Sequence, residues 1–156
     1  MDWNYLLWRF DGRIGRRTFW IGFMTVGLIE FACHLAAQSL DQDRLSSIIS
    51  LAFGYPEFAI LAKRGHDRNM TTWVPAAFYA YSALIDFMFV IGAAGTQDDP
   101  SSLVVLMTIP WVVFALALLV ELGLRKGASG PNRYGPDPLA PPAITHRDGP
   151  TGNGSV

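Results

Sequence analysis

The chain has 156 residues, of which 51% are hydrophobic and 16% charged, and this is more apolar than an ordinary soluble domain of that length. A net charge of -1 conceals a segregation of the Lys and Arg residues into particular loops. The single cysteine, Cys33, excludes an internal disulfide.

The first predicted element is a short amphipathic helix. Trp3, Leu6, Leu7 and Phe10 recur at i, i+3, i+4 and i+7 and form one apolar stripe. The pattern predicts a helix that lies along the inner membrane surface and is broken by Asp11-Gly12.

Four long apolar runs follow, each with roughly the 18 to 23 residues that a helix needs to cross about 30 Å of hydrocarbon. They cover residues 19–40, 45–62, 73–95 and 102–124, and the second is the weakest because it is short and contains Gly54 and Pro56. A soluble four-helix bundle would carry a polar face on every helix, whereas these runs are apolar on most sides. The sequence therefore predicts an all-α integral membrane four-helix bundle over residues 1–139 and a disordered tail over 140–156.

The first run has a competing interpretation as a cleaved signal peptide. It is longer than a usual signal-peptide core and contains Glu30 and His34, and no small-residue cleavage site follows it. We therefore expect a retained span.

The distribution of cations predicts the orientation of the spans. Eleven of the 12 Lys and Arg residues lie before the first run, between the second and third runs, or after the fourth. Arg44 alone lies in the other set of loops. Because Lys and Arg are retained on the cytoplasmic side during insertion, both termini are expected in the cytoplasm.

Three sequence blocks carry a family resemblance. They are Phe10–Trp20 (FDGRIGRRTFW), Ala62–Asn69 (AKRGHDRN) followed by Trp73, and Gly130–Pro138 (GPNRYGPDP). In order and spacing they resemble the YhaH-like bacterial inner-membrane proteins grouped as domain of unknown function 805. The resemblance implies a polytopic plasma-membrane protein and supplies no activity.

Each apolar run contains one acidic residue, and two of these acids define a candidate site. Counting 1.5 Å per helical residue places Glu30, His34 and Asp86 near the bilayer midplane, where a charged group must be paired, hydrated or protonated. We predict a Glu30/His34/Asp86 cluster. It is either structural hydrogen bonding between helices or a proton relay or cation site.

The other two acids are expected nearer the cytoplasmic boundary. Glu121 precedes Arg125 by four residues, which favours an ion pair on one helix face. Glu57 is expected to pair with an arginine at 13, 16 or 17. Both are interpreted as structural anchors.

The segment from Lys63 to Thr72 is interpreted as a basic loop around a His-Asp pair. Three roles stay open for it: chemistry on a lipid headgroup, contact with anionic headgroups or a partner, and loop anchoring. Asn132, Arg133 and Tyr134 are expected to fold back onto this loop as a latch. The complete set of residues predicted to contact headgroups or a partner is Arg13, Arg16, Arg17, Lys63, Arg64, His66, Asp67, Arg68, Asn132, Arg133 and Tyr134.

These features predict a non-enzymatic membrane protein that contacts anionic phospholipid headgroups or another membrane protein. The alternative is a small proton-coupled or cation permease that uses the Glu30/His34/Asp86 cluster and works as a homo-oligomer. No nucleophile motif, paired-His metal spacing or phosphate loop is present in the sequence, so no cofactor or metal is expected, and no nucleic-acid partner.

Overall fold

The structure, a computed structural model, describes residues 1–40, 43–96 and 99–140. Its elements are α1 (Trp3–Trp8), α2 (Arg16–Ser39), α3 (Asp43–Asp67), α4 (Trp73–Val90), α5 (Ser102–Leu118) and a π-helical segment (Leu119–Leu124) that continues α5. Four stretches are long and apolar enough to cross a membrane: Arg16–Ser39, Arg44–Asp67, Trp73–Val90 and Ser102–Leu124. The all-α prediction with four such helices is confirmed, and the tail expected to be disordered lies, from residue 141, outside the described residues.

The second span differs most from its prediction, which ended it at residue 62. α3 runs unbroken from Asp43 to Asp67, through Pro56, so the first five residues of the predicted basic loop are helical. Proline is tolerated inside a membrane helix because neighbouring groups compensate for the backbone hydrogen bond that it removes. The cations at its end lie inside the fold because other segments supply acceptors for them, as described below.

α3 is the central helix, in contact with α1, α2, α4 and the π-helical segment. Its residues Ala59, Ile60 and Ala62 are fully buried. The hydrophobic core consists of one cluster of buried side chains: Leu6, Ile14, Phe19, Val26, Ile60, Leu61, Phe78, Leu118 and Leu122. Elsewhere large apolar side chains point outward, such as Leu28, Leu106 and Val113 at 67%, 66% and 63% exposure, which suits a lipid-facing surface.

α1 is shorter than its sequence stripe. Asp2 caps it by accepting a hydrogen bond from the backbone N–H of Tyr5 at 3.1 Å, and the helix ends at Trp8, so Phe10 lies beyond it. Leu6 is buried in the core, whereas Trp3 is 42% exposed. Leu6 is therefore the fully buried member of the stripe, and Leu7 packs partly buried against the same core.

α4 ends at Val90, five residues before the predicted limit. Gly92 and Gly95 have φ of 77° and 83°, a left-handed conformation that ends a helix and that other residues rarely adopt. Ser101 then caps α5 by accepting from the N–H of Val104. This turn directs α5 back along α4.

Candidate functional site

The start of α2, the end of α3 and the end of the π-helical segment meet at one end of the bundle, called the basic end below. Arg13 is at its centre, with a side chain that is 1% exposed. Its Nε and Nη2 donate to Oδ1 of Asp67 at 3.2 and 2.9 Å, and its Nη1 and Nη2 donate to the carbonyls of Gly130 and Ala128 at 2.7 and 2.6 Å. One buried arginine thereby joins α3 to the segment after the last span.

Asp67 also pairs with a second buried arginine. Arg64 donates from Nη1 to the other carboxylate oxygen of Asp67. Its Nε and Nη2 donate to the carbonyls of Leu122 and Arg125, both at 2.6 Å. The last carbonyls of a helix have no hydrogen-bond partner within the helix. Arg64 donates to two such carbonyls at the end of the π-helical segment. The Arg13–Asp67–Arg64 triad is therefore a structural ionic network.

Lys63 is fully buried and performs the same task for α1. Its ammonium donates to the carbonyls of Tyr5 at 3.0 Å, Leu6 at 2.8 Å and Arg9. A short helix without a basic residue in its last turn thus receives a cation from another helix. The contact holds α1 onto α3.

His66 has both ring nitrogens occupied. Nδ1 lies 3.0 Å from the carbonyl oxygen of Gly12, and because that oxygen only accepts, Nδ1 carries the proton. Nε2, 2.7 Å from Oγ1 of Thr72, then accepts from that hydroxyl. The ring stacks on Tyr134 with centroids 3.8 Å apart. These contacts fix the ring in place, and His66 as a whole is only 5% exposed.

The tail folds back on the end of α3, as the sequence predicts. Nδ2 of Asn132 donates to the backbone carbonyl of His66 at 2.9 Å. The backbone N–H of Ala128 donates to the backbone carbonyl of Asp67 at 2.7 Å. Arg133 lies outside, over the ring of Tyr134, at 4.7 Å from its centroid. The tail segment 128–139 is therefore part of the folded unit.

Asp137 closes a turn within that tail segment. Its carboxylate accepts from the backbone N–H groups of Leu139 and Gly130, each at 2.9 Å, and these hydrogen bonds lower the pKa of Asp137. A carboxyl whose pKa is lowered in the folded state stabilises the fold at pH values above the ordinary pKa of that carboxyl. That contribution disappears as pH falls through the lowered value.

We expect Tyr134→Ala to release the tail segment, because the stacking on His66 is lost, at a cost of about 1 kcal/mol. Hydrogen exchange at residues 128–139 should quicken by roughly fivefold. Leu139→Ala is the control, since Leu139 is 83% exposed. Equal exchange in the two variants would show that the stacking does not hold the tail.

The prediction of a contact surface is wrong for five of its residues. Arg13, Lys63, Arg64, His66 and Asp67 are buried and bind one another or backbone carbonyls, so they present no charge to a lipid or partner. The physical reason is that the helix ends supply carbonyl acceptors, which one-dimensional charge counting does not reveal. Of the other predicted contact residues, Arg16, Arg17 and Arg133 are exposed, and Arg68, Asn132 and Tyr134 are partly buried.

Glu121 lies at the edge of the basic end. It accepts from Arg125 at 2.7 Å, which confirms the predicted i, i+4 pair, and also from Arg68 at 2.7 Å. The prediction for Glu57 is wrong: its partner is the hydroxyl of Tyr79 on α4, at 3.0 Å, rather than an arginine. Treating α3 as a short span had placed Glu57 too near the basic loop.

Glu57 instead lines a cavity of about 630 Å³ between the spans, called the acidic cavity below. Glu30 and Asp86 line it too. Nε2 of His34 is 3.4 Å from Oε1 of Glu30 and 3.2 Å from Oγ of Ser50. Glu30 and Asp86 thus line one cavity, and His34 contacts Glu30 without lining that cavity. Glu57 is the member that sequence reasoning missed.

These observations define a polytopic, all-helical membrane protein with a closed ionic network at one end and an acidic cavity between its spans. The chain belongs to the family described as Protein of unknown function (DUF805), whose model matches residues 7–136. It is 28% identical over 133 residues to "Uncharacterized protein YiiR" of Escherichia coli strain K12, covering 84% of this chain and 86% of that protein. The protein of the same name from Escherichia coli O157:H7 matches equally. No solved structure matches.

Proposed function

We propose that the chain is a non-enzymatic, multi-pass protein of the bacterial inner membrane, with both termini in the cytoplasm, that binds anionic phospholipid headgroups at its basic end. The strong cation asymmetry between the two sets of loops supports this orientation. His66 is buried and stacked on Tyr134, which leaves its ring little access to a substrate and supports a non-enzymatic role. Reporter fusions at Met1 and Val156 should both read cytoplasmic, and opposite readings would contradict the orientation.

One observation carries the headgroup proposal: a cavity of about 510 Å³ at the start of α2 is lined by two exposed arginines. Arg16 and Arg17 lie beside Trp20 and the apolar side chains of Leu124 and Leu139. Guanidinium groups bind phosphate oxygens well, and a tryptophan ring suits the depth of the glycerol region. Basic cavities between membrane helices on the cytoplasmic side are suited to anionic headgroups.

The test is the double substitution Arg16→Gln/Arg17→Gln. Each cation near an anionic leaflet contributes about 1 kcal/mol, so the affinity for phosphatidylglycerol or cardiolipin should fall roughly 30-fold. Native mass spectrometry of the full chain, with anionic lipid titrated in, measures this affinity. Arg44→Gln removes an exposed cation at the opposite end of the bundle and is the matched control. The double variant removes two cations and the control one, so an equal loss of binding free energy per removed cation would mean that only net charge matters.

A second candidate is a proton-coupled or cation permease, favoured by the acidic cavity between the spans. A pathway needs polar groups within the hydrocarbon layer, and Glu30, Glu57 and Asp86 line one cavity. Proteoliposomes should then show cation or proton flux that Asp86→Asn abolishes and Asp11→Asn does not, since Asp11 is exposed at the basic end. Unchanged flux in Asp86→Asn would exclude this route.

A further inference from the structure

The acidic cavity adjoins a second, smaller chamber of different character. A cavity of about 290 Å³ shares the lining residues Ser50, Ile85, Asp86 and Thr108 with it. The smaller chamber adds Ser46 and Ser47, whereas the larger one is walled by aromatic rings. Asp86 therefore lines both the serine-containing chamber, called the polar chamber below, and the larger chamber, which combines aromatic rings with carboxyl groups.

The polar chamber contains groups without partners. Ser47 is 2% exposed, and its Oγ has no hydrogen-bond partner among the described residues. A buried hydroxyl without a partner is unfavourable, so it favours a ligand that bonds to it. Within the described ranges Asp86 also receives no hydrogen bond, whereas Glu30 contacts His34 and Glu57 is bonded by Tyr79. Asp86 and Ser47 are the groups left for a ligand.

The large chamber has an aromatic wall whose polar atoms are already satisfied. The ring of Phe78 stacks on that of Trp111 at 5.6 Å and meets that of Tyr79 edge-on at 5.4 Å. Nε1 of Trp111 donates to Oγ of Ser82 at 2.7 Å, and the Tyr79 hydroxyl donates to Glu57. The wall thus offers ring surface, which binds apolar groups and attracts cations.

Volume and charge together identify the ligand class. A cavity of about 630 Å³ suits a small organic molecule, and its volume far exceeds that of a bare ion. Three carboxyls favour a cation over an anion, and pairing with a cation relieves the cost of a carboxylate within the hydrocarbon layer. We propose that the two chambers bind a hydrophobic primary amine, its ammonium group on Asp86 and Ser47 and its apolar body against Phe78, Tyr79 and Trp111.

This inference deepens the second candidate function by naming its substrate class, and it is tested by binding alone. The probe is 1-naphthylmethylammonium, titrated calorimetrically into the detergent-purified full chain, beside its neutral counterpart 1-naphthylmethanol. The amine should bind saturably and at least about tenfold more tightly than the alcohol. This comparison uses the natural chain, so it does not depend on a variant folding. Equal binding of both probes would overturn the inference and indicate an apolar or lipid-filled space.

Variants then locate the ammonium group. Asp86→Asn should weaken amine binding by at least about tenfold and Ser47→Ala by about threefold, with little effect on the alcohol. Asp11→Asn and the Arg16/Arg17 double variant should leave amine binding unchanged. Full affinity in a folded Asp86→Asn protein would overturn the placement. Amine binding without flux would remove the permease and keep this site, whereas flux of another cation without amine binding would do the reverse.

Discussion

Asp67→Asn is expected to destabilise the chain by about 3 to 5 kcal/mol. The substitution keeps the shape of the side chain but removes the one carboxylate between two buried guanidinium groups, those of Arg13 and Arg64. Two like charges would then face each other in a region shielded from water. Denaturation of the detergent-purified protein by sodium dodecyl sulfate, followed by circular dichroism, measures the free energy of unfolding.

Glu121→Gln is the matched control for this prediction. Glu121 also pairs with two arginines, Arg68 and Arg125, but its side chain is 27% exposed, so its loss should cost about 1 kcal/mol or less. Because each acid pairs with two arginines, a difference in lost stability between the two variants reports the effect of burial and not of the number of ion pairs. Similar losses in the two variants would show that the triad has no special role in stability.

The four spans were predictable because their signal is summed over many residues. A run of about 20 apolar residues stands out whatever its neighbours are. The end of α3 was not predictable in the same way, because Lys63 and Arg64 read as solvated loop residues when each is taken alone. Their partners are carbonyl groups of α1 and of the π-helical segment. Every residue supplies a carbonyl, so nothing in the sequence marks these acceptors.

The sequence predicted a Glu30/His34/Asp86 cluster but no cavity. Helical rise gives the depth of a residue in a span, and this was sufficient to associate Glu30 with Asp86. Depth does not give the direction of a side chain around the helix axis, and an error in the limits of α3 misplaced Glu57. The Ser47 hydroxyl had no signal at all, since serines are common in membrane helices and only packing shows which one lacks a partner.

Lys63→Met should detach α1 from the bundle while the spans stay folded. Methionine keeps the length and apolar stem of lysine but cannot donate to the carbonyls of Tyr5, Leu6 and Arg9. Hydrogen bonds to a charged group are worth about 1.5 to 3 kcal/mol, so amide exchange in Trp3–Trp8 should quicken roughly 100-fold.

Lys126→Met is the matched control, because Lys126 is exposed and the substitution is the same. Hydrogen exchange followed by mass spectrometry resolves α1 from α2 in one experiment. If α1 exchanges equally in both variants, its attachment depends on the buried Leu6 side chain and not on the ammonium group. If exchange quickens in α2 and α3 as well, Lys63 supports the whole basic end, and the separation between a docked first helix and an independent set of spans is wrong.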